Sequence, residues 1–127
     1  MKRLYALRGA VQCVNKVEDI CEQVSLMYDE LLSLNKLDED DIVSVLFSVT
    51  DDLYSINPCT ALRKSGRAGN LSLFSSREPV YRNSLERIVR VLIHCYLEEG
   101  SKPCHVYRNG AEVLRPDRAG KNLTGQV

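Results

Sequence analysis

Apolar residues follow two different spacings along the first third of the chain, which predict a strand and then a helix. Residues 4–11 are mostly apolar around one charged side chain, Arg8, and predict the first strand. Asn15 has the character of a helix cap, with Glu18 at the capping-box position. Apolar residues then recur in steps of three and four until about Asn35, which is typical of one buried helix face. They are Val17, Ile20, Cys21, Val24, Met27, Tyr28, Leu31 and Leu32.

The middle of the chain predicts a turn, a buried strand and a short helix. Residues 38–41 are acidic and can cap a turn, and the β-branched, mostly apolar residues 42–50 predict a buried strand. Asn57 and Pro58 form a typical helix start, because asparagine caps and proline fits the first helical position. Gly66 is a natural stop for this helix.

Further strands are predicted in the C-terminal half. Residues 71–74 predict a short strand, residues 75–84 a polar loop, and residues 87–96 the strongest strand of the chain. Two segments that flank Asn109-Gly110, residues 104–107 and 112–114, predict a hairpin or a strand with a bend.

Helices that alternate with strands, followed by closely spaced strands, indicate an α/β domain with one mixed sheet and helices on one face. The length of 127 residues fits a single domain, residues 1–127, and the polar tail, residues 117–127, is expected to be flexible.

The charge is balanced overall and uneven along the chain. Lys and Arg total 17, as do Asp and Glu, which argues against a protein that coats nucleic acid or an anionic membrane. Eleven of the acids lie between Val17 and Asp52, and 11 of the 17 bases are Arg. Two interpretations remain open: an acidic helix beside a basic sheet edge, or a local anion site within a neutral total.

Other features bear on where the protein works. The longest apolar run, residues 42–49, is interrupted by serines and too short to span a membrane, and Arg8 interrupts any signal-peptide core. The five cysteines are odd in number and lack CxxC spacing. We therefore expect reduced thiols and a cytoplasmic protein.

Arg90 and Arg8 are the side chains that first indicate a binding site. Arg90 lies between Val89 and Val91, and its neighbours two positions away are also apolar. It either faces solvent or meets an anionic ligand or a buried carboxylate, and Arg8 raises the same question on the first strand.

Other chemistries find little support. His94-Cys95 and Cys104-His105 match no standard zinc spacing, and adjacent strand residues point to opposite faces, so no metal site is expected. The sequence contains no glycine-rich phosphate loop and indicates no base for a cysteine nucleophile.

A series of short motifs, in order and with almost no gaps, resembles the AroH-class chorismate mutases from about Leu4 to about Asn122. The motifs are residues 7–10 (Leu-Arg-Gly-Ala), residues 48–53 (Ser-Val-Thr-Asp-Asp-Leu), Pro58 with Ala61 and Arg63, Glu78, residues 87–92, residues 105–107 (His-Val-Tyr) and residues 113–117 (Val-Leu-Arg-Pro-Asp).

The resemblance implies a fold, an assembly and a reaction. The expected fold is a mixed five-stranded sheet with helices on one side. Three copies are expected to form a trimer with a barrel-like centre and active sites between subunits. The expected reaction is the Claisen rearrangement of chorismate to prephenate, in phenylalanine and tyrosine biosynthesis, without a cofactor or a metal.

The resemblance also assigns roles to residues. Arg90 is the expected cation beside the ether oxygen, Glu78 accepts the hydrogen bond of the ring hydroxyl, and Arg8 and Tyr107 hold the side-chain carboxylate. Further substrate contacts are expected from Ser75 near the ring hydroxyl and from three residues at the cleft mouth. These three are Arg63, Arg115 and Thr60.

The sequence departs from the family pattern at Val11, Asn57, Cys59 and Thr60, and Thr60 removes a cation that some members carry at the cleft mouth. The main alternative function is a non-catalytic trimeric protein that binds another small anion. A nucleic-acid binder that uses the basic C-terminal half is disfavoured, because no aromatic and basic recognition motif is present.

Overall fold

Five strands form one mixed sheet in the computed structural model, which describes residues 1–115. They are β1 (Lys2–Gln12), β2 (Ile42–Val49), β3 (Leu73–Arg77), β4 (Ile88–Glu98) and β5 (Val106–Arg108). Their order across the sheet is β3-β2-β4-β1-β5. β4 is antiparallel to both of its neighbours, whereas β2–β3 and β1–β5 are parallel pairs. The predicted mixed five-stranded sheet is confirmed, and the predicted flexible tail lies outside the described residues.

Two helices cover one face of this sheet. α1 spans Val17–Leu34, α2 spans Pro58–Lys64, and single 3₁₀ turns lie at Glu39–Asp41 and Ala111–Leu114. Buried helix residues and every second residue of the central strands share one core, because successive strand side chains point to opposite faces. Its members include Leu7, Val11, Val24, Leu31, Val45, Phe47, Leu62, Val91 and Ile93.

Gly9 permits close packing in this core. A Cβ atom at this position would lie 3.1 Å from the Val106 carbonyl oxygen, 3.1 Å from Val91 Cγ1 and 3.2 Å from Leu31 Cδ1. β1 therefore meets β5, β4 and α1 at a point where only hydrogen fits without a shift of neighbouring atoms.

The two predicted helix starts have different outcomes. Asn57 caps α2 as predicted, because its side chain accepts a hydrogen bond of 2.8 Å from the Cys59 N–H. The prediction for Asn15 was wrong. Lys16 occupies the N-cap of α1 without a side-chain bond, while Asn15 Oδ1 accepts bonds from the backbone N–H groups of Tyr54 and Ser55. A long-range loop contact thus replaces the local cap.

The boundaries of β3 were also predicted wrongly. The strand includes Ser75, Ser76 and Arg77, which the sequence assigned to a loop because they are polar. β3 is an edge strand that pairs with β2 alone, so polar side chains there remain accessible to water. Edge position, which is set by tertiary structure, overrides the local polar signal.

The prediction of a hairpin around Asn109-Gly110 was wrong as well. β5 ends at Arg108, and residues 111–114 form a 3₁₀ turn instead of a returning strand. Asn109 and Gly110 both have positive φ, 54° and 101°, but β5 pairs in parallel with β1. Ala111 is instead buried against Ala10, Ile88 and Tyr107, and this packing turns the segment away from the open edge of β5.

Candidate active site

The register of the strands brings separate sequence motifs into one row on the face that the helices do not cover. Arg90 on β4 lies between Ser48 on β2 and Ala10 on β1. Ser76 on β3 extends the row beyond Ser48, and Tyr107 on β5 extends it beyond Ala10. Residues 48, 76, 90 and 107 therefore meet at one level of the sheet, although they are far apart in sequence.

A cavity of about 560 Å³ opens over this row. Arg8, Arg90, Tyr107 and Arg115 all line it, together with Ser48 and apolar side chains that include Leu46, Leu92 and Leu114. Its volume lies within the range of small-molecule sites. Four of the predicted site residues thus share one cavity. They come from β1, β4, β5 and the segment after the last turn.

The contacts around Arg8 tie two of these elements together. Its backbone N–H donates a hydrogen bond of 3.0 Å to His105 Nδ1, just before β5 begins. The Arg8 side chain is exposed, while Tyr107 is only 4% exposed and packs with Ala10, Ile88 and Ala111. Tyr107 is therefore held by its packing, and Arg8 is free to contact a molecule in the cavity.

Glu78 meets Arg90 at the edge of the cavity. Arg90 Nε lies 3.2 Å from Glu78 Oε2, and the two side chains are 38% and 17% exposed. The distance makes an ion pair, but the N–H does not point at the oxygen, so among the described residues Arg90 Nε has no hydrogen-bond acceptor. A buried donor in that position is satisfied when a ligand supplies an oxygen.

The charges around this cavity favour an anion. Arg8, Arg90 and Arg115 line it, and Glu78 is the acid in contact with Arg90. Two acids of α1 are engaged elsewhere, since Asp29 pairs with Arg67 and Glu30 pairs with Arg108. Of the two interpretations of the charge distribution, this cavity favours the local anion site, because arginines from separate segments converge on it.

The other three predicted residues lie apart from this cavity within one chain. Thr60 and Arg63 are exposed on α2. Ser75 faces a second depression of about 350 Å³, which Asn57 and Pro58 also line. Burial raises the pKa of the nearby Cys59 thiol, and a hydrogen bond with Ser75 partly offsets this shift. The described residues of a single chain therefore form two half-sites: an arginine half with Glu78, and an α2 half with Ser75.

The cysteine and histidine pairs have separate surroundings. His94 Nδ1 lies 3.0 Å from Ser44 Oγ, whereas Cys95 is buried under the helices, and this burial raises its pKa to about 11. Within residues 1–115, no group of three or more His, Cys, Asp or Glu side chains is arranged to hold a metal ion. All five cysteines are free thiols.

Sequence reasoning missed Ser48, which lines the cavity and donates a hydrogen bond from its Oγ to Glu78 Oε1. The signal was present in the alternation of β2, where Ser44, Leu46 and Ser48 share the face opposite to the buried Val45 and Phe47. A polar residue in that row indicates proximity to the cavity only when the pairing with Arg90 is known.

Comparison with known proteins identifies the family. The sequence pattern of chorismate mutase type I matches residues 4–118. This protein belongs to the chorismate mutase type I family. A chorismate mutase AroH from Thermus thermophilus is 31% identical over 87% of this chain and 93% of its own length. Another, from Bacillus subtilis, is 25% identical over 87% of this chain and 89% of its own length.

A solved chorismate mutase from Clostridium thermocellum has the same fold. It superimposes with a TM-score of 0.78 and 35% sequence identity, and the match covers 86% of this chain and 98% of that one. The match spans almost the whole of that mutase, so this chain has the chorismate mutase fold. Within residues 1–115, neither helix combines the length and apolar character that a membrane crossing needs.

Proposed function

We propose that this protein converts chorismate to prephenate, and that its active sites form between the subunits of a homotrimer. The observation that carries this proposal is the arginine half-site. Three arginines and Tyr107 line one cavity, and the Glu78 carboxylate lies 3.2 Å from Arg90 Nε at its edge. A site that only captured anions would gain nothing from a carboxylate held against its central arginine, because like charges repel.

The reaction explains why such residues are needed. Chorismate is a dianion, and its rearrangement breaks an ether C–O bond ahead of forming a C–C bond, so negative charge builds on the ether oxygen. A fixed cation near that oxygen stabilises the transition state, and contacts to the two carboxylates hold the compact conformer that reacts. The rearrangement is intramolecular and proceeds without a cofactor or a covalent intermediate.

Each residue of the arginine half-site has a proposed role. Arg90 faces the ether oxygen and the side-chain carboxylate, and its Nε–H, which has no hydrogen-bond acceptor among residues 1–115, supports this role. Arg8 and Tyr107 bind the same carboxylate, and Glu78 accepts the hydrogen bond of the ring hydroxyl. Arg115, which lines the same cavity, lies near the ring carboxylate at the mouth.

The α2 half-site of a neighbouring subunit is proposed to complete the site. Arg63 and Thr60 are exposed and would face the ring carboxylate, with Ser75 near the ring hydroxyl. The uncovered sheet face supports assembly, because it exposes apolar side chains in the rows beside the cavity: Leu4 is 51%, Phe74 63% and Tyr96 44% exposed. Apolar area of this kind favours burial against another copy.

The proposed setting is the cytoplasm, where thiols stay reduced. Five free cysteines support this location, since oxidising compartments favour disulfides. Thr60, which stands where some family members have lysine, is expected to weaken binding of the exposed carboxylate and so to raise KM.

The test is the loss of chorismate absorbance with purified protein. Saturable turnover to prephenate supports the proposal, and the same protein should elute as a trimer on a sizing column. Binding of chorismate without turnover would instead favour the non-catalytic anion binder. If the protein neither binds nor converts chorismate, the chorismate mutase function is refuted.

A further inference from the structure

Ser48 occupies a central position in the arginine half-site. It lies on β2 directly opposite Arg90 on β4, with Ser76 on β3 at its other side. Its side chain is half-buried and lines the cavity. The roles proposed for Arg8, Glu78, Arg90 and Tyr107 do not involve it directly.

The side chain of Ser48 holds one oxygen of Glu78. Its Oγ–H donates a hydrogen bond to Glu78 Oε1, while Oε2 of the same carboxylate lies 3.2 Å from Arg90 Nε. Each oxygen of the carboxylate thus has a different neighbour. The orientation of the carboxylate plane is therefore set by Ser48 on one side and by Arg90 on the other.

A second contact ties Glu78 to the same strand. Its backbone N–H donates a bond of 2.8 Å to the carbonyl oxygen of Val49, the residue after Ser48. Glu78 is the first residue after β3, and most of residues 79–87 are exposed. Without the Ser48 hydroxyl, the backbone bond to Val49 would remain, but it does not restrain the terminal carboxylate torsion, which is intrinsically broad.

We infer that Ser48 is a positioning residue that prevents Glu78 from closing a two-point ion pair with Arg90. A guanidinium and a carboxylate readily form two parallel hydrogen bonds. The Ser48 bond fixes the direction in which Oε1 points, so that Oε2 alone faces Arg90 and the pair stays at a single contact. The rest of the guanidinium is thereby left for the substrate. A carboxylate has about four acceptor sites, so Oε1 can also accept the ring hydroxyl.

This inference rests on the proposed function, and it predicts a specific coupling. Ser48→Ala should lower kcat/KM by about tenfold to a hundredfold, the scale of a misplaced catalytic group. Ser48→Thr keeps the hydroxyl and should retain activity within about threefold of wild type. Ser44→Ala is the matched control, because Ser44 lies on the same strand and face but contacts His94.

A double-mutant cycle with Glu78→Ala separates positioning from a merely structural effect. If Ser48 acts through Glu78, Ser48→Ala should change kcat/KM by less than about twofold once Glu78 is absent. An equal loss in both backgrounds would overturn the inference, as would failure of Ser48→Thr to restore activity. If Ser48→Ala does not fold, Ser48→Cys, of nearly the same shape with a weaker donor, takes its place in the cycle.

The outcomes distinguish this inference from the function on which it rests. A wild-type protein that does not convert chorismate overturns both. Wild-type turnover with an unchanged rate in Ser48→Ala overturns the positioning role of Ser48 and leaves the proposed function standing. Wild-type turnover with a loss that depends on Glu78 supports both.

Discussion

Removal of the Arg90 side chain should abolish most catalysis while leaving the fold nearly as stable as before. We expect Arg90→Ala to lower kcat by about 10²–10³, the usual cost of removing a donor aimed at developing charge. That factor corresponds to about 2.7–4 kcal/mol of transition-state stabilisation.

The structure predicts a much smaller effect on folding. The Arg90–Glu78 pair is partly exposed, with 38% and 17% at its two side chains, and Arg90 Nε makes no hydrogen bond within residues 1–115. The net contribution of this pair to stability should therefore be no more than about 1 kcal/mol. Glu78 keeps its Ser48 hydrogen bond and its backbone bond to Val49 after the change. The free energy of unfolding should therefore fall by no more than about 1 kcal/mol.

The assay combines chorismate disappearance with urea unfolding of the same preparations. Arg87→Ala is the matched control, because Arg87 lies just before the same strand and pairs with the exposed Glu86 outside the cavity. It should keep wild-type turnover. Arg90→Lys retains the charge but not the planar fork, so it should also be strongly impaired. Turnover of Arg90→Ala within about tenfold of wild type would refute the assigned role, and a loss of several kcal/mol in stability would show that Arg90 is mainly structural.

Two further predictions concern the core. Gly9→Ala should lower the free energy of unfolding in urea by about 1–3 kcal/mol, because the added methyl group crowds the Val106 carbonyl and its neighbours. The control is Gly69→Ala, where no atom lies within 4 Å of an added Cβ, and it should change the free energy of unfolding by less than about 0.5 kcal/mol. Equal effects of the two changes would contradict the packing argument. Burial raises the pKa of Cys13 from 9.0 to about 12 and that of Cys95 to about 11. Above about pH 9 the unfolded chain therefore loses thiol protons that the folded chain keeps. Because the unfolded chain then binds fewer protons, the free energy of unfolding should decline with rising pH. Urea unfolding at about pH 8 and about pH 10.5 measures this decline, and Cys13→Ala should make the decline smaller. A free energy of unfolding that rises between these two pH values would exclude thiol ionisation as the cause.

The fold was predictable wherever an element buries one face and its apolar residues therefore recur at a regular spacing. The predicted bounds of α1, β2 and β4 agree with the structure to within about two residues, because each has one face against the core. β3 was misplaced, since an edge strand does not require apolar residues. The hairpin was wrong because the segment after Asn109-Gly110 forms a 3₁₀ turn that buries Ala111 against Tyr107. Asn15 failed as a cap because a distant loop, at Tyr54 and Ser55, uses its side chain.

The site was less accessible from local sequence. Arg8 and Arg90 stood out because each is a charge among apolar residues, but nothing local connected them to each other. Glu78 was assigned from family resemblance, and its contact with Arg90 depends on the pairing of β2 with both β3 and β4. The pairing register of distant strands cannot be inferred from a few consecutive residues. Ser48 was missed for the same reason.

The most direct test of the account mixes two impaired variants, one from each half-site. Arg90→Ala removes the cation of the arginine half, and Arg63→Ala removes that of the α2 half. At low chorismate concentration each alone should retain no more than about a tenth of wild-type activity, since each leaves a substrate charge unpaired.

Unfolding and refolding the two variants together, at equal concentration, should produce mixed trimers. If neighbouring subunits supply the two halves, about a quarter of the sites in a random mixture are intact, so activity should rise to about a quarter of wild type. A mixture that forms trimers but stays at the average of the two variants would contradict an active site built between subunits.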